Sequence, residues 1–255
     1  MENIHTTRRR ILVLLGLVTL LASCSTVASS YNWGWFAVSP TTEVGRRNLR
    51  FLLQGLVPTL TVSAVSFAIS ISLGLIIALI GLVPNRITKA INRFYVEVFR
   101  SVPVLVMILW VYYGLPVSLG IDLDVFSAAV VALALCDAAF EAEIFRAGIQ
   151  SIERDQVESA KSLGFKPWQT MRYVILPQAL RRILPPLGNQ FVYMLKISSL
   201  VSVIGFGELT RRANELTVIQ YRPLEIYTVL IIEYLVIILI ASYLVRLMER
   251  AMSDA

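Results

Sequence analysis

Few residues in this 255-residue sequence are equipped for chemistry, and most of them lie inside apolar runs. Asp137 and Glu141 are four apart, so on a helix they share one face. A charge in such a run costs about 2.5–3.5 kcal/mol on membrane-insertion scales, and it usually faces a cavity or a partner. Two readings follow. The acids line a polar pathway and attract a cationic group such as an amine or guanidinium, or they are structural, as an ion pair (Lys196 is one possible partner) or a hydrogen-bonded acid. Lys196, Ser198 and Ser199 form a second polar set in a later apolar run, where the lysine could meet a substrate carboxylate. Thr59 follows Pro58 and could line the same pathway, or bond back to its own helix. Asn189 and Gln190 could line the pathway or bond between helices, and the second role is the one expected.

Covalent chemistry finds no apparatus. The single histidine, His5, belongs to a polar N-terminal tail, which leaves no histidine for a catalytic or metal site. Cys24 and Cys136 lie in or beside apolar runs, so no disulfide framework is expected, and Cys136 reads as a small apolar filler. No Gly-rich loop ends in Gly-Lys-Ser/Thr to cradle a nucleotide phosphate.

The elements that must position these residues are membrane spans. With 56% hydrophobic and 16% charged residues, the chain is a multispan helical protein rather than a soluble domain. Apolar runs cover residues 11–29, 51–83, 98–119, 125–149, 183–204 and 226–245. Pro103 and Pro116 mark the third as kinked. Residues 40–50 read as a polar connector, 84–93 as a short basic loop and 205–225 as a polar segment. The first run has two readings. Leu21-Ala22-Ser23-Cys24 resembles a lipoprotein cleavage box, while an uncleaved span would place Tyr31, Trp33, Trp35 and Phe36 as an interfacial aromatic belt. Of the 23 Lys and Arg, sixteen fall on the side of Arg8, Arg9, Arg10 and residues 151–177, and six on the other. Both termini and residues 151–177 are therefore expected in the cytoplasm.

Residues 151–177 are the most structured of the connections. Asp155 and Glu158 suggest an N-cap and capping box, Gly164 a left-handed helix end, Pro167 the start of a second short helix and Pro177 its stop. Val157, Leu163, Phe165 and Trp168 are apolar side chains a solvated loop would not need. On this description alone, a bent helix pair of this kind is either an ordinary connector or a knob shaped to enter a groove in another protein, and the motif it carries favours the knob. Glu158, Ala160 and Gly164, then Val174, Leu176 and Pro177, resemble the Glu-Ala-Ala, Gly, Ile-x-Leu-Pro signature of binding-protein-dependent ABC transporter permeases. Ser159 and Val174 depart from it. The stretches LLQGLVPTL, FYVEVFRSVPVLV, EIFRAGIQSI, LPQALRRILPPLGNQFVYMLK and SLVSVIGFGEL are similar to the polar-amino-acid uptake class.

That resemblance implies an all-α, polytopic transmembrane bundle. It would have a five-helix type I importer core over residues 51–250 and an extra N-terminal span within residues 1–50. Val157, Glu158, Ala160, Leu163, Gly164 and Phe165 would dock on a separate ATP-hydrolysing subunit, which binds the ATP and Mg²⁺ while this chain carries no cofactor. A periplasmic solute-binding protein and a second permease chain, identical or related, would complete the assembly in a bacterial inner membrane, with no nucleic-acid partner. The solute pathway would run past Asp137, Glu141, Lys196, Ser198, Ser199 and Thr59. Where the family often reads Lys-Asp-Thr-Ser, this chain has Lys196, Ile197, Ser198 and Ser199, and Asp137 and Glu141 are additions to the pattern. The rival readings are an ion-coupled transporter using Asp137, Glu141 and Lys196, and an intramembrane enzyme, which the lack of a nucleophile–base pair disfavours.

Overall fold

The structure, a computed structural model, describes residues 31–253. The expected extra span at 11–29 and the question of cleavage at Cys24 lie outside these residues. The chain divides into two compact units, Met1–Trp35 and Phe36–Ala255. In the described part of the first, Tyr31 meets Trp33 edge-on at 5.1 Å and Trp33 stacks on Trp35 at 5.4 Å.

The second unit is helical: α1 (Glu43–Leu53), α2 (Leu56–Leu82), α3 (Arg86–Ser101), α4 (Val104–Leu119), α5 (Val125–Gln150), α6 (Arg154–Ser162), α7 (Pro167–Ile204), α8 (Leu209–Gln220) and α9 (Pro223–Ser253). Among the described residues, α2, α5, α7 and α9 belong to the four helices long and apolar enough to cross a membrane, and the bent pair α3–α4 makes a fifth. This is the five-helix core expected from the sequence.

Lipid supplies no hydrophobic drive between helices, so the bundle must be held by close packing and hydrogen bonds. The closest seam is α2 against α5. Ser63, Ser66, Ser70, Gly74 and Ala78 recur at helical spacing on α2 and are buried, opposite a row of buried alanines on α5 that includes Ala128, Ala132, Ala138 and Ala142. A Cβ on Gly74 would come within 2.8 Å of the Glu141 Cβ and 3.0 Å of the Ala138 carbonyl oxygen. Around this seam, Val62, Ile108, Val111, Leu133, Met194 and Val201 form one buried cluster contributed by α2, α4, α5 and α7. Ala78, Phe145, Ile152, Ala179, Ile183 and Leu187 form another toward α6.

Three expectations are corrected. Residues 40–50 and 84–93 are largely helical. Thr42 caps α1 by accepting from the Gly45 N–H, and Asn85 caps α3 by accepting from the Ile87 N–H. The third span is not kinked within one helix: α3 and α4 meet at 98°, broken at Val102, which is held extended ahead of Pro103. Pro177 does not stop a helix. A π turn at Met171–Ile175 precedes Leu176-Pro177, the Leu176 N–H reaches back to the Met171 carbonyl, and α7 continues through Pro177, Pro185 and Pro186. The Gln178 amide donates to the Val174 carbonyl at 3.0 Å and the Asn189 amide to the Pro185 carbonyl at 3.2 Å, meeting backbone groups from side chains. The same device recurs in α4, where a π turn at Trp110–Gly114 precedes Leu115-Pro116.

Gly74→Val forces side-chain atoms into the α2–α5 seam. Overpacking of this kind costs about 1–3 kcal/mol, so the thermal midpoint of the detergent-solubilised protein is expected to fall. An unchanged midpoint would show that the two backbones do not meet there.

Candidate coupling and transport site

The knob between α5 and α7 is built as a bend with a rigid root. α6 starts after Glu153 rather than at Asp155, which lies in its first turn where a carboxylate favours the helix dipole. Its end is a Schellman closure: the Gly164 N–H donates to the Lys161 carbonyl at 2.9 Å and the Phe165 N–H to the Ala160 carbonyl at 3.1 Å. Gly164 adopts φ +81, the left-handed conformation its type predicts. Pro167 opens the next helix as expected, and the Gln169 side chain accepts from the Lys166 N–H at 2.8 Å.

The knob's surface is two-faced. Ala160 is buried and Val157 half-buried, while Glu158, Leu163, Phe165 and Trp168 are exposed. Ile152 is buried against Phe145 of α5 and Ile183 of α7. The Arg182 guanidinium donates to the Ser151 carbonyl at 2.5 Å, and a Cβ on Gly148 would collide with Ile183 at 2.2 Å. α5, α6 and α7 are thereby joined where the knob begins.

Asp137 and Glu141 are brought together, as their spacing predicts, but inside the protein. Their relative exposures are 1% and 0%. The Gln190 amide of α7 donates to Asp137, and the Ser70 hydroxyl of α2 lies 2.8 Å from Asp137 Oδ2, 3.1 Å from Glu141 Oε1 and 2.9 Å from the Phe67 carbonyl. One hydroxyl hydrogen can serve only one of these three acceptors at a time. Asp137 therefore stitches α2, α5 and α7 together. Both acids are closed off from solvent in this conformation, and no ion pair joins either to Lys196 among the described residues. Gln190 takes the interhelical role expected of it.

The other residues assigned to the solute pathway separate. Lys196 is exposed and Ser199 half-buried, the latter bonding the Lys196 carbonyl at 2.8 Å. Ser198 is buried and bonds the Leu195 carbonyl at 2.8 Å. Thr59 is also buried. It donates to the Gly55 carbonyl at 2.9 Å and accepts from the Leu209 N–H at 3.2 Å, so it caps α8 rather than lining an open channel. Reasoning from sequence missed Glu208, the N-cap of α8, which accepts from the Thr210 N–H, the Arg211 N–H and the Tyr234 hydroxyl at 2.7–2.9 Å. An acid directly before a helical stretch was its only signal. Burial pushes the Glu208 carboxyl above its ordinary value, and these hydrogen bonds pull it back only in part. Arg100 pairs with Glu143 across α3 and α5, while Arg93 pairs with Glu97 at 2.6 Å.

A membrane-spanning bundle with a rooted knob at one end and buried polar groups that stitch its helices is the architecture of a transporter's membrane subunit. Comparison with known proteins defines it further. The family model for the binding-protein-dependent transport system inner membrane component matches residues 70–254, and the chain belongs to that family, as a permease subunit of an ABC importer. It is 36% identical over 219 residues to the glutamine transport system permease protein GlnP of Escherichia coli (strain K12), covering 86% of this chain and 97% of that one. It is 38% identical over 204 residues to the arginine transport system permease protein ArtQ of Bacillus subtilis (strain 168), covering 80% and 93%. A solved amino acid ABC transporter crystallised with histidines contains a similar chain, at TM-score 0.79, 38% identity and coverage of 87% and 100%. The methionine ABC transporter MetNI shares the fold at TM-score 0.67 and 21% identity. Family membership supports the ATP-driven reading over the ion-coupled one.

Two outcomes test the buried groups. Asp137→Asn keeps a polar partner for Gln190 and should reduce uptake of cationic and neutral solutes alike. Asp137→Leu strands buried donors at about 1–3 kcal/mol each and should lower the thermal midpoint; selective loss of cationic uptake in Asp137→Asn would place the acid in the pathway. For Glu208, whose carboxyl is raised, the stabilising protonated form is fully present below the unfolded value of about 4.3 and is lost as pH rises through the folded value. The midpoint of the native protein should fall over that interval, and that of Glu208→Gln should not.

Proposed function

We propose that this chain and a second permease chain, identical or related, form the pore of an importer for amino acids or related small polar solutes in a bacterial inner membrane. The knob faces the cytoplasm and docks on a separate ATP-hydrolysing subunit through Val157, Glu158, Leu163 and Phe165, with Ala160 and Gly164 fixing its shape. ATP and Mg²⁺ belong to that subunit. A periplasmic binding protein delivers solute at the opposite end, near α8.

The observation that carries this reading is the contrast within the knob. Its tip exposes Leu163, Phe165 and Trp168, while its root is packed between α5 and α7. An apolar tip on a rigid root receives force and passes it to the spans, because packed helices shift as units. The excess of Lys and Arg at the knob end supports the cytoplasmic orientation. The relatives named as glutamine and arginine permeases support an amino acid as solute. Lys196, exposed beside Ser199 on α7, is the group that would meet a solute carboxylate. Residues 51–250 form the permease domain, preceded by residues 1–50.

Gly164→Val places a β-branched residue in a left-handed conformation, at a strain of about 1–3 kcal/mol, and deforms the bend. In proteoliposomes holding the ATPase and supplied with binding protein, ATP hydrolysis should continue while solute uptake collapses. Normal coupled uptake would remove the knob from the mechanism, and concentrative uptake by this chain alone under an ion gradient would overturn the ATP-driven reading.

A further inference from the structure

α3 carries three faces about 120° apart at 3.6 residues per turn. The first is turned to the bundle. The Asn92 amide donates to the Ile77 carbonyl at 2.8 Å, the Tyr95 hydroxyl donates to the Leu135 carbonyl at 2.9 Å, and Val96 is buried with Ile77 and Ala142. The second is charged: Arg86, Lys89, Arg93 and Arg100 against one acid, Glu97. Arg93 is paired with Glu97 and Arg100 with Glu143, whereas Arg86 and Lys89 have no ion-pair partner among the described residues. The third is apolar and bare, with Ile87, Ile91, Phe94 and Val98 exposed at 68%, 50%, 71% and 36%.

The orientation of the helix gives these faces a meaning. α3 and α4 meet at 98°, so the two halves of the bent pair cannot both run along the membrane normal, and with Val104–Leu119 taken as the crossing half, α3 runs along the membrane plane. Its level is fixed near the knob end of the bundle. A Cβ on Gly81, one residue from the end of α2, would lie 2.6 Å from the Asn92 Cγ, and Arg100 pairs with Glu143 in the last third of α5. With the charged face turned to the aqueous side, the direction into the membrane falls between the bundle face and the apolar face. The apolar stripe then looks obliquely into the acyl region. A lateral helix with bare isoleucines and phenylalanine above and uncompensated cations below has the chemistry of an interfacial anchor.

We propose that α3 binds the leaflet on the knob side through anionic phospholipids, with Ile87, Ile91, Phe94 and Val98 among the upper acyl carbons and Arg86 and Lys89 on the headgroup phosphates. The lipid contact follows from the geometry of α3. Only the naming of that leaflet as cytoplasmic rests on the orientation proposed above.

The test is site-directed spin labelling of the assembled transporter in proteoliposomes, with Cys24→Ser as background and the label at Phe94→Cys, or at Ile91→Cys should the first variant fail to assemble. Collisions with membrane-soluble oxygen should dominate those with an aqueous nickel chelate at positions 87, 91, 94 and 98, and the order should reverse at 89 and 93. Moving from phosphatidylcholine alone to an equimolar mixture with phosphatidylglycerol should raise the oxygen-to-nickel ratio at position 94 by roughly twofold, and Arg86→Gln with Lys89→Gln should abolish that rise. Nickel access at position 94 (a solvated helix) would overturn the proposal. Shielding from both reagents (a second permease chain or the ATPase on this face) would do so too, as would a ratio indifferent to phosphatidylglycerol. Impermeant maleimide at Lys89→Cys in sealed vesicles reports the side separately. A reversed orientation would leave the oxygen pattern intact, so the two readings fail independently.

Discussion

Within a bilayer a backbone hydrogen bond left open has no water to turn to, and apolar surface gains nothing by leaving lipid for protein. Helices in this protein therefore cohere where their backbones can come close and where polar side chains complete one another. The α2–α5 seam does both. Its serines, glycine and alanines remove the side-chain volume that would hold the helices apart. At its centre Ser70, Asp137, Glu141 and Gln190 form a polar knot that also draws in α7. The helices of the knob, the bent pair and the outer α9 are arranged about that seam.

The arrangement explains how a chain with no nucleotide-cradling loop can be driven from outside. Ile152 and Arg182 join the knob to α5 and α7 at one end of the bundle. The Gln190–Asp137 bond joins the same two helices nearer the middle. Thr59 and Glu208 tie the heads of α2 and α9 to α8 at the far end. A displacement entering at the tip meets a connected series of fixed points.

Much of this was legible in the sequence. Long uncharged runs located the spans because lipid demands that length and composition, and Gly164 located the bend because few other residues adopt φ +81 without strain. The destination of Asp137 was not legible. Its spacing to Glu141 fixes a shared face, but which way that face turns depends on Ser70 and Gln190, 67 and 53 residues away in sequence. α3 was obscured because its basic residues suggest a loop, whereas the recurrence of Ile87, Ile91, Phe94 and Val98 at helical spacing carried the helix signal. The prolines misled for a related reason. Pro177 removes one backbone donor, and an added residue in the preceding turn absorbs the loss without ending the helix.

That added residue sets an angular phase. α7 runs for 38 residues, roughly 57 Å at 1.5 Å per residue, from the aromatic surface around Trp168 to Lys196 and beyond. Each residue inserted into or lost from a helix turns everything on one side of it by about 100° relative to the other. The turn at Met171–Ile175 thus works like the offset of a key bit, setting the direction in which the knob end points relative to the Lys196 end. A single residue added to or lost from α7 between those ends would therefore swing one against the other, whereas an addition close to a whole number of turns would leave their directions in register.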